Sequence, residues 1–351
     1  MRCGNLNSKM KVRLIVIDCL AALLIAAAVV VALRERQQAP QPEVPEAQAP
    51  AEGRIKAAPA GKAAAPPPDA PVAASSAEVR VKAVERNSAA NVTTTAPDVS
   101  RAVAIICGKD SATADRYEER NNALRSLSRR SDLPKDDITA LMVYLQSTED
   151  ALRPERIAAL KNDVMNLLRN QEPSPKGLAE TLIAMFRSGK HPPAVLDYCI
   201  QHLGAMQGEI TDDSLRHRIR ETFIFAARQT RQPYAGTALY SLAENKHASQ
   251  SQKSELKRLT ISLCKQGSHP VARVSAIQLA GVLEYKEILP ILRETLSSSR
   301  RDAVLDIVSI GSLGLLGDES DLELLSQFSS DTRRAVAVKA AIKRIKDRAS
   351  K

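Results

Sequence analysis

A 33-residue echo in the C-terminal part of the chain narrows the fold more than any other feature. Ala276-Ile277, Leu283, Leu289 and Leu292 return as Ser309-Ile310, Leu316, Leu322 and Leu325, and a third, shorter copy starts at Ala337-Val338. Short helical patterns alternate with tight breaks throughout this stretch, from His269 to Ile345. A helix pair of this size cannot bury its apolar face alone, whereas stacked copies build one continuous core. The expectation is an all-α chain made of antiparallel helix pairs.

The same punctuation extends upstream. Helices are expected at roughly 112–130, 134–147, 154–170, 175–188, 193–207, 212–229, 233–246, 252–266, 270–284, 286–298, 301–316, 319–329 and 332–349. Pro134, Pro154, Pro175, Pro193, Pro233 and Pro270 each stand where a first helical turn begins and a missing N–H does no harm. Ser174, and Thr211 ahead of Asp212-Asp213, supply capping oxygens and favourable charge at helix N-termini. Gly189, Gly208, Gly267 and Gly317 stand at helix ends. One-sided stripes such as Ile157, Leu160, Val164 and Leu167 keep the three-or-four spacing of a half-buried helix. Aromatic residues are only 3% of the chain, so the core has to come from Leu, Ile, Val and Ala.

The stretch 269–346, with the turn Gly314-Leu315-Leu316-Gly317-Asp318, resembles the HEAT-repeat family in its short bacterial form. The resemblance implies a right-handed α-solenoid over residues 111–351 whose concave face, lined by every second helix, binds a protein partner. Some bacterial relatives of that form are lyases acting on tetrapyrrole adducts, but no motif of that chemistry can be placed on this sequence.

Residues 14–33, LIVIDCLAALLIAAAVVVAL, supply about the twenty apolar residues that a membrane-crossing helix needs. Arg2, Lys9, Lys11 and Arg13 precede them and favour a cytoplasmic N-terminus. The expected organisation is a cytoplasmic segment 1–12, a signal-anchor helix 13–34, a Pro/Ala-rich disordered linker 35–110 and the solenoid. Within the linker, 78–110 reads equally as a stray strand or the lead-in to a first helix. Cleavage after a signal peptide stays open beside the uncleaved anchor. The localisation that follows is the inner membrane, single-pass, with the C-terminal domain periplasmic or extracellular. Asp18 lies inside the apolar run, and a membrane carboxylate is a functional candidate. The string Ile17-Asp18-Cys19-Leu20 through Leu24-Ile25 resembles the membrane helix of proton-channel subunits in TonB-type and Tol-type energising complexes, where such an Asp relays protons. The plainer reading puts Asp18 near the headgroups or protonates it.

Net charge is +10, yet residues 101–332 balance thirty basic against thirty acidic residues. The excess sits at the two ends, which argues against nucleic acid as a partner. Residues 333–351 hold eight Lys and Arg against Asp347 alone. Arg334, Lys339, Lys343 and Lys346 lie opposite the apolar stripe Val338, Ala341/Ile342 and Ile345 of the last helix. That side reads either as the polar outer face of a capping helix or as a basic docking surface for anionic lipid or an acidic partner.

No motif for chemistry stands out. Cys107, Cys199 and Cys264 read as small apolar side chains, with one disulfide as the alternative. The five His lack ligand spacing with a third ligand nearby. Asp318, Glu319, Asp321 and Glu323 read as acids at a helix start, because the Gly and terminal Glu of a calcium loop are missing. No cofactor, no metal and no catalytic residue is expected, and the chain is expected not to be an enzyme. The favoured function is a membrane-anchored scaffold or protein-interaction module. A part of an envelope energising or transport complex using Asp18, or a secreted HEAT-like enzyme, are the alternatives.

Overall fold

A computed structural model describes residues 96–245, 248–299 and 302–351. The expected cytoplasmic segment, the anchor at 13–34 with Asp18, and the linker up to residue 95 lie outside the described residues, as does His247. Among the described residues, no helix is long and apolar enough to cross a membrane.

The described chain contains fourteen α-helices and no strand. They are α1 (Ala96–Ile106), α2 (Tyr117–Leu127), α3 (Lys135–Gln146), α4 (Pro154–Arg169), α5 (Leu178–Ser188), α6 (Pro193–Met206), α7 (Asp213–Arg228), α8 (Tyr234–Ala243), α9 (Gln250–Cys264), α10 (Pro270–Val282), α11 (Leu289–Ser297), α12 (Ala303–Leu316), α13 (Leu322–Ser326) and α14 (Ala335–Ala349). One 3-10 turn precedes α11 at Lys286–Ile288 and another precedes α13 at Glu319–Asp321.

Local chemistry explains most of these boundaries. Pro154, Pro193 and Pro270 each occupy the first helical residue. Asp212 accepts from the amides of Ser214 and Leu215, and Asp302 from those of Val304 and Leu305. Ser249 and Gln252 form a reciprocal capping box. Gly189 closes α5 at φ 63°, a left-handed conformation that costs a Cβ-bearing residue more. Two expected caps fall elsewhere. The side chain that caps α7 is Asp212, not Thr211, and α5 starts at Leu178 behind a left-handed Gly177 rather than at Pro175.

The helical body also begins earlier than residue 111. On α1, Val99, Ala102, Val103 and Ile106 are buried in the core, so the linker expected to run to 110 ends before this helix. Pro97 in its first turn and Gly108 just past its end, at φ 69°, bracket α1.

The helices pair in order as seven hairpins, α1/α2 through α13/α14, each touching the next. Odd-numbered helices neighbour one another in one layer and even-numbered helices in the other, with the apolar core between. The even layer is drawn tight from α6 onward. A Cβ on Gly204 would lie 2.6 Å from Ser241 Oγ, and one on Gly236 2.7 Å from Ser275 Cβ. On Gly281 it would meet Ser312 Oγ at 2.7 Å, and on Gly314 it would meet the Ala341 backbone at 2.7 Å. Glycine at each crossing lets two helices approach where a methyl group would force them apart. Ser312 adds a hydrogen bond from its Oγ to the Ile277 carbonyl, 3.0 Å.

Candidate interaction surface

The even-numbered helices carry one side that no other described helix covers. On α12, Val304, Ile307, Val308, Gly311 and Leu315 are partly or fully exposed and stand at positions i, i+3, i+4, i+7 and i+11, so they form a single stripe. Moving back by 33 residues gives Val271, Val274, Ser275, Gln278 and Val282 on α10, again partly or fully exposed, with Ser275 packed against Gly236 and Gln278 bonded to Tyr240 of α8. The repeat that builds the core therefore also repeats the surface. Val271 is 48% exposed, Val282 53% and Leu315 39%, high values for large apolar side chains on adjacent helices. The charged residue Asp306 of α12 points the other way, buried and paired with Arg334.

The corresponding side of the earlier even helices is polar. On α4 it presents Asn162, Asp163 and Asn166, and on α6 Asp197, Tyr198 and Gln201. Gln201 Nε2 donates to Asp197 Oδ2 at 3.0 Å. Tyr240 of α8 marks the transition, donating its hydroxyl to Gln278 of α10 at 3.3 Å. Behind this polar half, His202 is buried with Nε2 3.2 Å from Asn162 Oδ1 and Nδ1 3.4 Å from Arg169. Burial, then the Arg169 charge, pulls its pKa down to about 4, so the ring is neutral, with its proton on Nε2.

A cleft of about 770 Å³ opens where the ends of α6 and α8 meet α7. Arg216, His217 and Arg220 form one wall, and Gln207, Ser241 and Asn245 the other. Arg216 is paired with Asp213. Burial pulls the Arg220 pKa below the usual guanidinium value, partly offset by Glu221 and Glu255.

The residues expected to form a basic docking surface separate. Lys339, Lys343 and Lys346 are exposed on α14. Arg334 is not among them. It is 8% exposed, donates from Nε and Nη2 to Asp306 Oδ2 at 3.0 and 2.8 Å, and also pairs with Asp331. The sequence pattern put Arg334 on the cationic side, but a buried carboxylate 28 residues upstream recruits it into the interior.

The remaining expectations concern reactive groups. Cys107, Cys199 and Cys264 are free thiols, and burial pushes their pKa values up to about 11, 12 and 12. The disulfide alternative does not hold for these three. Among the described residues no group of three His, Cys, Asp or Glu could hold a metal ion. Asp318 instead caps the turn before α13, and Asp321 takes Arg293 in a two-pronged pair at 2.7 and 3.0 Å.

A larger polar cluster escaped the sequence reading altogether. Arg120 is 1% exposed, and it donates to the Ile106 carbonyl at 2.8 and 3.0 Å, the Ala114 carbonyl at 3.0 Å and both oxygens of Asp150 at 2.7 and 2.9 Å. Tyr144 Oη donates to Asp150 at 3.0 Å, and its ring lies 5.3 Å from the Arg120 guanidinium. Lys161, also 1% exposed, donates to the carbonyls of Leu145, at 2.8 Å, and Ser147. Burial brings the Lys161 pKa down to about 8. Burial would raise the pKa of Asp150, but its bonds from Arg120, the Leu152 amide and Tyr144 outweigh that and hold it below the usual carboxylate range.

No protein-family model matches the chain, and no curated protein matches it. Among solved structures, human deoxyhypusine hydroxylase in complex with glycerol matches over 72% of this chain and 97% of its own, at 12% identity and a TM-score of 0.28. So low a score carries no argument about the finer fold or the chemistry. The expectation that the chain is not an enzyme is withdrawn against this match to a hydroxylase, and no activity is assigned to the chain.

Proposed function

We propose that this chain is a HEAT-like, right-handed α-solenoid that holds an amphipathic helix of a partner protein against α10 and α12. The observation that carries this reading is the apolar stripe that recurs 33 residues apart on those helices. Two such stripes side by side leave a trough, and a third helix fits a trough by the ridge-into-groove rule that packs the core itself. The closer spacing of the even layer bends the stack toward that layer, which makes the trough part of the concave face. The proposal extends to location: residues 13–34 anchor the chain in the inner membrane and the solenoid works outside the cytoplasm, as the basic flank before Leu14 favours. An anchored groove raises the effective concentration of its partner at the membrane.

One set of measurements tests both parts. A photo-crosslinking residue placed at Leu315 in the full chain should yield a discrete adduct in cells, and adding Val282→Asn should abolish it. The same probe at Phe225, an exposed side chain on the other layer, should give none. Equal adducts at both positions, or indifference to Val282→Asn, would remove the trough from the proposal. Alkaline phosphatase fused at Ser88 should be active and sediment with membranes; an inactive fusion would reverse the topology.

A further inference from the structure

The final helix carries a second groove, and its chemistry differs from that of the trough. Its floor is Val338, 2% exposed, and the half-buried Ile342. Its rim is Lys339, Lys343 and Lys346, all exposed, with Asp347 beside them, and the open groove has a volume of about 560 Å³. Among the described residues none of the three lysines makes an ion pair, whereas the neighbouring Arg334 is committed to Asp306 and Asp331. Among the described residues no helix covers this side of α14, although α12 covers the side that carries Ala341.

We propose that this groove seats an acidic amphipathic helix of a partner protein. Three unpaired ammonium groups at intervals of four and three residues face a carboxylate row of the same spacing on a facing helix. The recessed floor needs an apolar ridge to fill it, and such a helix supplies that ridge from its other positions. A second copy of this chain brings lysine against lysine across a two-fold axis and is disfavoured. An anionic bilayer satisfies the lysines but is flat, so it leaves the recess at Ile342 unfilled. The proposal is independent of the stripe on α10 and α12, which is mainly apolar.

The probe is a synthetic helical peptide with Leu at i, i+3, i+4 and i+7 and Glu on both flanks, titrated against the full chain in detergent. Its Glu-to-Gln counterpart, and mixed phosphatidylcholine–phosphatidylglycerol vesicles, serve as comparisons. The acidic peptide should bind, the Gln peptide should not, and affinity should fall with added salt. Changing Lys339, Lys343 and Lys346 together to Gln should weaken binding by about tenfold or more, and changing all three to Arg should restore it. Ile342→Glu, which spoils the floor without removing a lysine, should also weaken binding. Circular dichroism should show the variants folded. Failure of the acidic peptide to bind, or equal binding by the Gln variant, overturns the proposal. Vesicle binding that depends on the three lysines without peptide binding replaces the partner helix by a lipid surface and equally overturns it.

Discussion

The two ends of this helical stack solve one problem by opposite means. Between α1 and α4 the interior is filled by large polar side chains: Arg120, Tyr144, Asp150 and Lys161. Between α6 and α14 the helices are pulled together until only Gly, Ser and Ala fit at the crossings. The first solution depends on complete hydrogen bonding, because a buried ion that loses its partner is costly. The second depends on volume, because a single extra methyl group has nowhere to go. The first needs long side chains that happen to meet across the fold, while the second needs short ones in register. Only the second is compatible with a regular sequence repeat, and the 33-residue echo is found where the small residues are.

The largest expected effect tests the polar end. Arg120→Met leaves Asp150 buried without its main partner and frees two carbonyls, so it should cost about 3–5 kcal/mol in chemical unfolding. Arg120→Met combined with Asp150→Leu should be less damaging than Arg120→Met alone. If the double variant is as unstable as the sum of the singles, the cluster is not acting as a unit. The small-residue end should respond less, and to the opposite kind of change. Gly314→Ala, which places a methyl group 2.7 Å from the Ala341 backbone, should cost about 1–3 kcal/mol, although alanine usually favours a helix. A stabilised Gly314→Ala variant would mean that α12 and α14 can slide apart at no expense.

The smallest effect is graded by pH and belongs to the polar half. His191 and His202 are both buried, and burial, helped by Lys161 and Arg169 respectively, lowers each pKa from 6.5 to about 4. The unfolded chain then takes up protons that the folded chain refuses. The stability is fully present above pH 6.5 and is lost as pH falls from there toward 4. At pH 5.5 each histidine should account for about 1 kcal/mol of that loss. Denaturation of the full chain at pH 7.0 and 5.5, compared with His202→Asn, checks this. An unchanged pH dependence in His202→Asn would mean that His202 titrates normally in the folded state.

The contrast also explains what could be read in advance. Helix positions were legible wherever Pro154, Pro193 and Pro270 opened a helix or Gly189 closed one, because those residues act through their own backbone. The α1 helix carries the same marks, Pro97 and Gly108, but its apolar run from Ala102 to Cys107 is short enough to read equally as a strand. The exposed stripe was half legible. The string AVLDIVSIGSLGLL has one charge in fourteen residues, too apolar for a helix with one wet side, and the shifted copy at α10 says which side repeats. The ionic cluster was not legible, because Arg120 and Asp150 lie 30 residues apart with no periodic relation, and Lys161 stands on what otherwise reads as an apolar stripe. Arg334 shows the same limit: the pattern set it on the outer cationic side, and the buried carboxylate 28 residues upstream that draws it inward has no sequence signal.

The crossings at Gly204, Gly236, Gly281 and Gly314 have a mechanical consequence. They lie in one layer, and helices of the opposite layer touch less extensively. Flexing that compresses the glycine side drives backbone into backbone, where repulsion rises steeply over fractions of an ångström. Flexing the other way strips short-range contacts gradually while the opposite layer still has room to close. The elastic response is therefore lopsided, like that of a leaf spring clamped along one edge. A guest pressed into the trough meets a wall that gives outward and does not give inward.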